Sequence, residues 1–194
     1  MTAEMDDAEH ELASRARDGD RQAFTRLVRR YQDRVFRFIL RMHGGRDEAM
    51  DLTQETFMKA YQALPSWRPE ARFGTWLFQI ARNATFDVLR RRQRVEFVSI
   101  ETSLPGGEVL DPRDHAPLPE EELAGRQRVA LLERCLDALP AEQREILLLR
   151  ELEGMSYADI ATTLNIQEGT VKSRLARARS AILAHYKHHA GEMP

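Results

Sequence analysis

A single cysteine, Cys135, excludes an internal disulfide and any multi-cysteine zinc site. It lies among Leu131, Leu132, Leu136 and Leu139, which marks it as a small apolar core residue. A redox-sensing thiol is the alternative, and it needs a basic neighbour to lower its pKa. Aromatic residues make up only 7% of the chain. No run approaches the roughly 18 apolar residues needed to cross a bilayer, which argues against membrane insertion. The first dozen residues, Met1 to Leu12, are acidic and lack the basic-then-apolar order of a secretion signal, so a cytoplasmic protein is expected. Proline and glycine are sparse except in one stretch. Pro105, Pro112, Pro117, Pro119 and the pair Gly106-Gly107 all fall between Val95 and Leu123.

What is present is apolar spacing and clustered charge. Apolar residues at 42% suffice for a packed core, and charged residues at 31% suit a soluble surface. Phe24, Leu27, Val28, Tyr31, Val35, Ile39 and Met42 recur at helical spacing and end at Gly44-Gly45. A second helix is expected from about Arg46 to Leu64, with Met50, Phe57, Ala60, Tyr61 and Leu64 inward. After a loop bracketed by Pro65 and Pro69, a third starts near Phe73 and carries Leu77, Ile80, Ala81, Ala84 and Val88 to the core. Periodicity then dissolves into an acidic, proline-rich stretch that reads as a flexible linker. Within it Val95, Phe97, Val98 and Ile100 suit either a short strand or an attachment to a neighbour.

Helical spacing resumes near Gly125. Val129, Leu132, Leu136 and Leu139 form a stripe ending at Pro140, which suits the first turn of the next helix. Gly154 closes that helix, and Ser156-Tyr157-Ala158-Asp159 fits a capping box for another. Asn165 stops it, and a last helix is expected from about Glu168 to Tyr186. The fold class is therefore all-α, two small helical domains joined by a flexible acidic linker. The divisions are an acidic N-terminal segment (1–19), a front domain (20–94), the linker (95–124), a back domain (125–187) and a tail (188–194).

The formal net charge of −2 conceals two basic clusters. Arg82, Arg90, Arg91, Arg92 and Arg94 crowd one, and Lys172, Arg174, Arg177 and Arg179 the other, which suggests two nucleic-acid contacts. Residues 156–182 have the layout of a helix-turn-helix. Ile160, Ala161, Leu164, Ile166, Val171, Leu175 and Ala178 face inward, while Lys172, Ser173, Ala176 and Arg177 face outward, where a major groove would lie. Thr170 and the helix N-terminus suit a phosphate, with Arg174 and Arg179 flanking the groove. In the front domain Gln79, Arg82, Asn83, Phe86, Asp87 and Arg90 share one face. A basic groove with an aromatic and amides suits single-stranded DNA, and an arginine-rich helix end favoured by the macrodipole is the plainer alternative. Asp51, Gln54, Glu55, Met58 and Gln62 form a polar stripe that is either a solvated surface or a docking face.

Three runs carry a family resemblance. The segment from Leu139-Pro140-Ala141-Glu142-Gln143-Arg144-Glu145-Ile146 through Gly154-Met155-Ser156-Tyr157-Ala158-Asp159-Ile160-Ala161 to Gly169-Thr170-Val171-Lys172-Ser173-Arg174-Leu175-Ala176-Arg177-Ala178-Arg179 resembles region four of extracytoplasmic-function (ECF) sigma factors. Asp51-Leu52-Thr53-Gln54-Glu55-Thr56-Phe57-Met58-Lys59-Ala60-Tyr61 resembles region two of the sigma family. Phe73-Gly74-Thr75-Trp76-Leu77-Phe78-Gln79-Ile80-Ala81-Arg82-Asn83 is similar to the ECF element that melts and reads the −10 region.

The resemblance implies a factor that binds core RNA polymerase and directs promoter recognition and transcription initiation, in a stress or envelope response. It implies polymerase contacts at Asp51, Gln54, Glu55 and Met58, on a coiled coil of the largest subunit. It implies −10 contacts to single-stranded DNA at Trp67, Arg68, Gln79, Arg82, Asn83, Phe86 and Arg90, with Trp67 and Arg68 in a loop that holds a flipped-out base. It implies −35 contacts to duplex DNA at Thr170, Lys172, Ser173, Arg174, Ala176, Arg177 and Arg179. An anti-sigma protein is an expected partner.

A linker over 95–123, fully extended at about 3.3 Å per residue, reaches on the order of 90 Å. That exceeds two DNA turns of about 34 Å each, enough to cover both elements. The rival reading is a stand-alone helix-turn-helix repressor or activator that needs no polymerase. An enzyme is a further rival, resting only on His185, His188 and His189 as metal ligands without a carboxylate cluster to support them. No catalytic residue, cofactor or metal is expected.

Overall fold

The structure is a computed structural model, and it describes residues 2–98 and 120–190. These form eight α-helices with no strand among the described residues: α1 (Thr2–Arg17), α2 (Arg21–His43), α3 (Arg46–Ala63), α4 (Phe73–Val98), α5 (Glu120–Asp137), α6 (Ala141–Leu147), α7 (Tyr157–Leu164) and α8 (Glu168–Ala190). A short 3₁₀ turn, Leu64–Ser66, follows α3, and a π-type turn, Leu148–Leu152, follows α6.

Helix boundaries have local causes. Asp20 caps α2 by accepting from the N–H groups of Gln22 and Ala23 at 2.9 and 3.0 Å. The backbone bond from Ala23, above all, holds its carboxyl below the usual value. Gly44 ends α2 in the left-handed conformation, φ 88°, where its N–H reaches the Leu40 carbonyl. Ser156 and Asp159 form the reciprocal capping box at the start of α7, and Asn165 closes that helix with φ 53°.

α2, α3 and α4 pack into the front domain around Leu27, Val35, Phe38, Ile39, Leu52, Phe57, Leu77 and Phe78. Phe38 meets Phe78 edge-on, with ring centroids 5.5 Å apart. The N-terminal residues, expected to be a plain acidic segment, form α1 instead. Its small face, Ala13 and Ala16, lies buried against α2. Glu9 on α1 is buried, accepting from the Tyr31 hydroxyl at 2.6 Å and from the Gly74 N–H at 3.3 Å. A carboxylate at the first turn of α4 offsets the partial positive charge of that helix end. Burial, then the Glu9 charge, pushes the Tyr31 phenol up.

In the back domain Ile146, Leu149, Ile160, Leu164, Val171, Leu175 and Ala178 close a core among α6, α7 and α8. Several inward assignments change. Val129 and Leu132 are exposed on α5, and the buried line is Leu131, Cys135, Leu136 and Leu139. With leucine at both 131 and 132, two helical registers were open, and packing against α8 selects the first. Met50 and Tyr61 of α3 are also exposed. Residues 95–98 continue α4 as helix rather than forming a strand, since no glycine or proline interrupts the hydrogen-bond ladder there. Residues 120–124, expected in the linker, instead begin α5, while 99–119 lie outside the described residues, as do 191–194 of the tail.

The two domains touch. α4 packs against α7, and α2 against α5 and α6, so one apolar cluster runs through both. Arg144 closes part of this joint. Its guanidinium donates to the carbonyls of Arg41 and Met42, 3.3 and 3.2 Å away, and to those of Asp137 and Leu139. It thereby satisfies carbonyls at the C-terminal ends of α2 and α5 that their own helices leave unpaired.

Candidate nucleic-acid and partner interfaces

The polar stripe of α3 is as expected in its layout. Asp51, Gln54, Glu55, Met58 and Gln62 are all exposed on one face, because Leu52, Thr56 and Ala60 hold the opposite side in the core. Glu55 pairs with Lys59 at 2.7 Å, an exposed contact one turn apart. Met58 is 63% exposed. Beside the stripe, between α2 and α3, lies an apolar groove of about 610 Å³ lined by Phe24, Val28, Phe57 and Tyr61. The Phe24 and Tyr61 rings meet at a tilt of 58°, centroids 5.0 Å apart. Helical spacing assigned these residues to the core and so missed the groove. The available signal was the excess of apolar positions on α2 over what one core stripe needs.

The face of α4 expected to meet single-stranded DNA carries Gln79, Arg82, Asn83, Phe86 and Arg90 along one line. Asn83 and Arg90 are exposed, and Phe86 is half-buried beneath Arg82, whose guanidinium lies 4.5 Å from the ring centroid. Arg90 pairs with Asp87 one turn away. Arg82 is engaged by the back domain: its Nε and Nη2 donate to Glu145 at 2.8 and 3.4 Å.

Trp67 requires a correction. It is not on the wall of an open pocket but 2% exposed, packed edge-on to Phe73 with His10 of α1 over it. A large apolar ring at the foot of α4 is buried once α1 forms, and its indole N–H has no partner. Arg68 beside it is exposed. The neighbouring cavity of about 170 Å³ is bounded by Asp7, Glu9 and His10 from α1 and by Pro69, Glu70 and Arg72 from the loop.

On α8 the residues expected to face bases, Lys172, Ser173, Ala176 and Arg177, are exposed, while Val171, Leu175 and Ala178 anchor the opposite side. Thr170, half-buried at the helix start, accepts from the Ser173 hydroxyl at 3.0 Å through its carbonyl. Arg174 lies 3.7 Å from Glu142, and Arg179 pairs with Glu151 at 2.6 Å, which holds its guanidinium above the usual value. These pairs are partly exposed and salt-screened, so a phosphate can displace them.

Cys135 is fully buried and sits with the α5 core line. Among the described residues no group of His, Cys, Asp and Glu is arranged to hold a metal. His189 makes a one-turn contact to the His185 carbonyl at 2.9 Å. No helix among the described residues is long and apolar enough to cross a membrane.

Comparison with known proteins adds three findings. Residues 27–95 match the family model for Sigma-70 region 2, and residues 121–182 match that for Sigma-70, region 4. The chain is 38% identical over 186 residues to the RNA polymerase sigma-H factor of Pseudomonas aeruginosa, covering 94% of each chain. It is 36% identical over 177 residues to the ECF RNA polymerase sigma-E factor of Escherichia coli K12, covering 88% of this chain and 90% of that one. Among solved structures it is similar to CnrH in complex with the cytosolic domain of CnrY, with TM-score 0.68, 26% identity, and coverage of 91% of this chain and 96% of that one. It is equally similar to the sigma factor RpoE of Bartonella quintana in complex with the anti-sigma factor NepR, with TM-score 0.68, 27% identity, and coverage of 84% and 96%.

Proposed function

The chain belongs to the ECF sigma factors of bacterial RNA polymerase, and from that premise we propose how its surfaces divide the work of transcription initiation. α3 binds the coiled coil of the polymerase's largest subunit. Asp51, Gln54 and Glu55 meet basic and polar groups there, since carboxylates and an amide pair well with arginine forks. The α2–α3 groove with Met58 at its rim takes the coiled coil's apolar side chains. α4 holds the unpaired −10 strand through Gln79, Arg82, Asn83, Phe86 and Arg90, phosphates on the arginines and a base on the aromatic. Arg68 borders the loop beside them, and Trp67 shapes that loop from beneath. α8 lies in the −35 major groove, with Lys172, Ser173, Ala176 and Arg177 toward bases and Thr170, Arg174 and Arg179 toward phosphates.

The observation that carries this reading is the separation of the three surfaces. An acidic face with an apolar groove stands on a different helix from either basic face. A stand-alone regulator has no use for the first of them. Residues 20–94 and 125–187 act as the two working units, and the chain itself makes or breaks no bond and works in the cytoplasm. An anti-sigma protein is a further partner, in keeping with the complexes solved for CnrH and the Bartonella RpoE.

In-vitro transcription with purified core polymerase and a promoter library tests the assignment. Gln54→Ala with Glu55→Ala abolishes start-site selection while upstream duplex binding persists. Arg177→Ala relaxes base preference at one −35 position, at a cost of about 1–3 kcal/mol if Arg177 pairs with guanine. Normal initiation by the α3 variant overturns the polymerase face.

A further inference from the structure

Between positions 26 and 41 every charged residue but Asp33 is an arginine: Arg26, Arg29, Arg30, Arg34, Arg37 and Arg41. At about 3.6 residues per turn they share the side of α2 turned away from its buried residues Leu27, Tyr31, Val35 and Phe38. Three of them already hold carboxylates from other elements. Arg30 lies 3.4 Å from Glu9 of α1, Arg34 lies 2.8 Å from Glu153 after the π-type turn, and Arg41 lies 3.9 Å from Glu133 of α5. The other three, Arg26, Arg29 and Arg37, are exposed and make no ion pair among the described residues. Only at longer range does Arg37 act on Glu153, holding that carboxyl down.

The face is wrong for a protein partner and for a single strand. A protein interface is anchored by large apolar side chains that become buried in it. The large apolar side chains exposed among the described residues, Met58 and Tyr61 among them, all lie on elements other than α2. A single strand asks for rings on which its bases stack, and α2 exposes none. A duplex backbone asks only for fixed positive charge, and an arginine fork matches a phosphate better than a lysine does.

We infer that this face of α2 is a third DNA contact, a sequence-independent grip on the phosphates of duplex DNA, carried by Arg26, Arg29 and Arg37. It rests on the reading of the front domain as promoter-bound. α2 and α4 share one core, so the grip falls on duplex adjoining the opened −10 strand. It needs no movement of either domain. The ridge is about 22 Å long, a length over which a duplex presents roughly thirteen phosphates. The three guanidiniums therefore find partners in any register, and no base has to be read.

The test uses holoenzyme assembled from core polymerase and the full chain, on a fragment that the native holoenzyme selects from a promoter library. Affinity is followed from about 50 to 200 mM salt. The native chain is compared with Arg26→Gln, Arg29→Gln and Arg37→Gln combined. A control loses the same charge at exposed positions elsewhere, through Arg128→Gln, Arg134→Gln and Lys187→Gln. Each lost phosphate contact flattens the slope of log affinity against log salt by about 0.9, so the α2 variant flattens by about 2.7 and loses about fortyfold less affinity than native across that range. The control keeps the native slope. Asp33→Lys steepens it by about one, a change that a damaged fold does not produce. These effects are the same on fragments that differ in flanking sequence. An α2 variant with the slope of the control overturns the contact and leaves the promoter reading intact. An α2 variant that no longer co-elutes with core polymerase also overturns it, and makes the ridge a protein face instead. If the native holoenzyme selects no fragment, the promoter reading falls, and the inference with it.

Discussion

His43 ends α2 at 8% exposure, and neither ring nitrogen has a hydrogen-bond partner. Burial, and after it the positive charge of Arg92, depress its pKa below the ordinary 6.5, with Glu48 acting the other way. Between the depressed value and 6.5 the unfolded chain binds this proton and the folded chain does not. The stability it contributes is therefore full above pH 6.5 and is lost as pH falls through the folded value. Urea denaturation on either side of pH 6.5 checks this. The native chain loses stability on the acid side, and His43→Leu, of similar bulk and without the titrating ring, loses less. Equal losses in the two proteins would remove His43 as the cause. At this same scale the outward layout of the α3 stripe was legible, because Leu52, Thr56 and Ala60 hold the opposite side in the core and leave Asp51, Gln54, Glu55, Met58 and Gln62 exposed. Trp67 was not. Whether an indole at the foot of a helix stacks on a base or fills a gap depends on what covers it, and α1 covers it.

Helices meet where small residues allow. A Cβ added to Gly74 would stand 2.6 Å from the Tyr31 hydroxyl, so α2 and α4 keep their spacing only with glycine there. Gly74→Ala pushes Tyr31 off its buried partner Glu9, and leaving that carboxylate short of a donor costs about 1–3 kcal/mol. Tyr31→Phe removes the clashing oxygen along with the bond. The two substitutions together therefore destabilise by less than the sum of each alone, measured by thermal unfolding in a double-mutant cycle. Strict additivity would show that the two residues do not share a contact.

Most elements were readable from spacing: α2, α3, α4, α7 and α8 lie close to where their apolar periods and caps put them. α1 was hidden because its apolar residues are mostly alanine, which carries weak periodicity, and they are interleaved with acidic ones. In α5 the inward reading held for Leu136 and Leu139 and failed for Val129 and Leu132, since adjacent leucines at 131 and 132 support two stripes equally. The groove between α2 and α3 escaped because Phe24, Val28 and Tyr61 look like core until the third side is found to be open.

Across the whole molecule, the joint between domains left no trace in the sequence. Arg82 and Glu145 are separated by 63 positions, Thr75 and Asp159 by 84, and Arg34 and Glu153 by 119. No periodicity links such distances, and nothing in the local sequence around either residue of a pair marks the other as its partner. The family assignment, by contrast, was legible, because its motifs lie within short runs. What the proposed function asks of the molecule as a whole is concerted use: one surface for an enzyme, one for an opened strand, one for closed duplex. Footprinting of a cognate promoter fragment, with and without core polymerase, examines that concerted use most directly. The account predicts joint protection of the −10 and −35 elements, with opened bases at −10, only when chain and core enzyme are both present. Full protection of both elements by the chain alone, with no association to core polymerase, would contradict it.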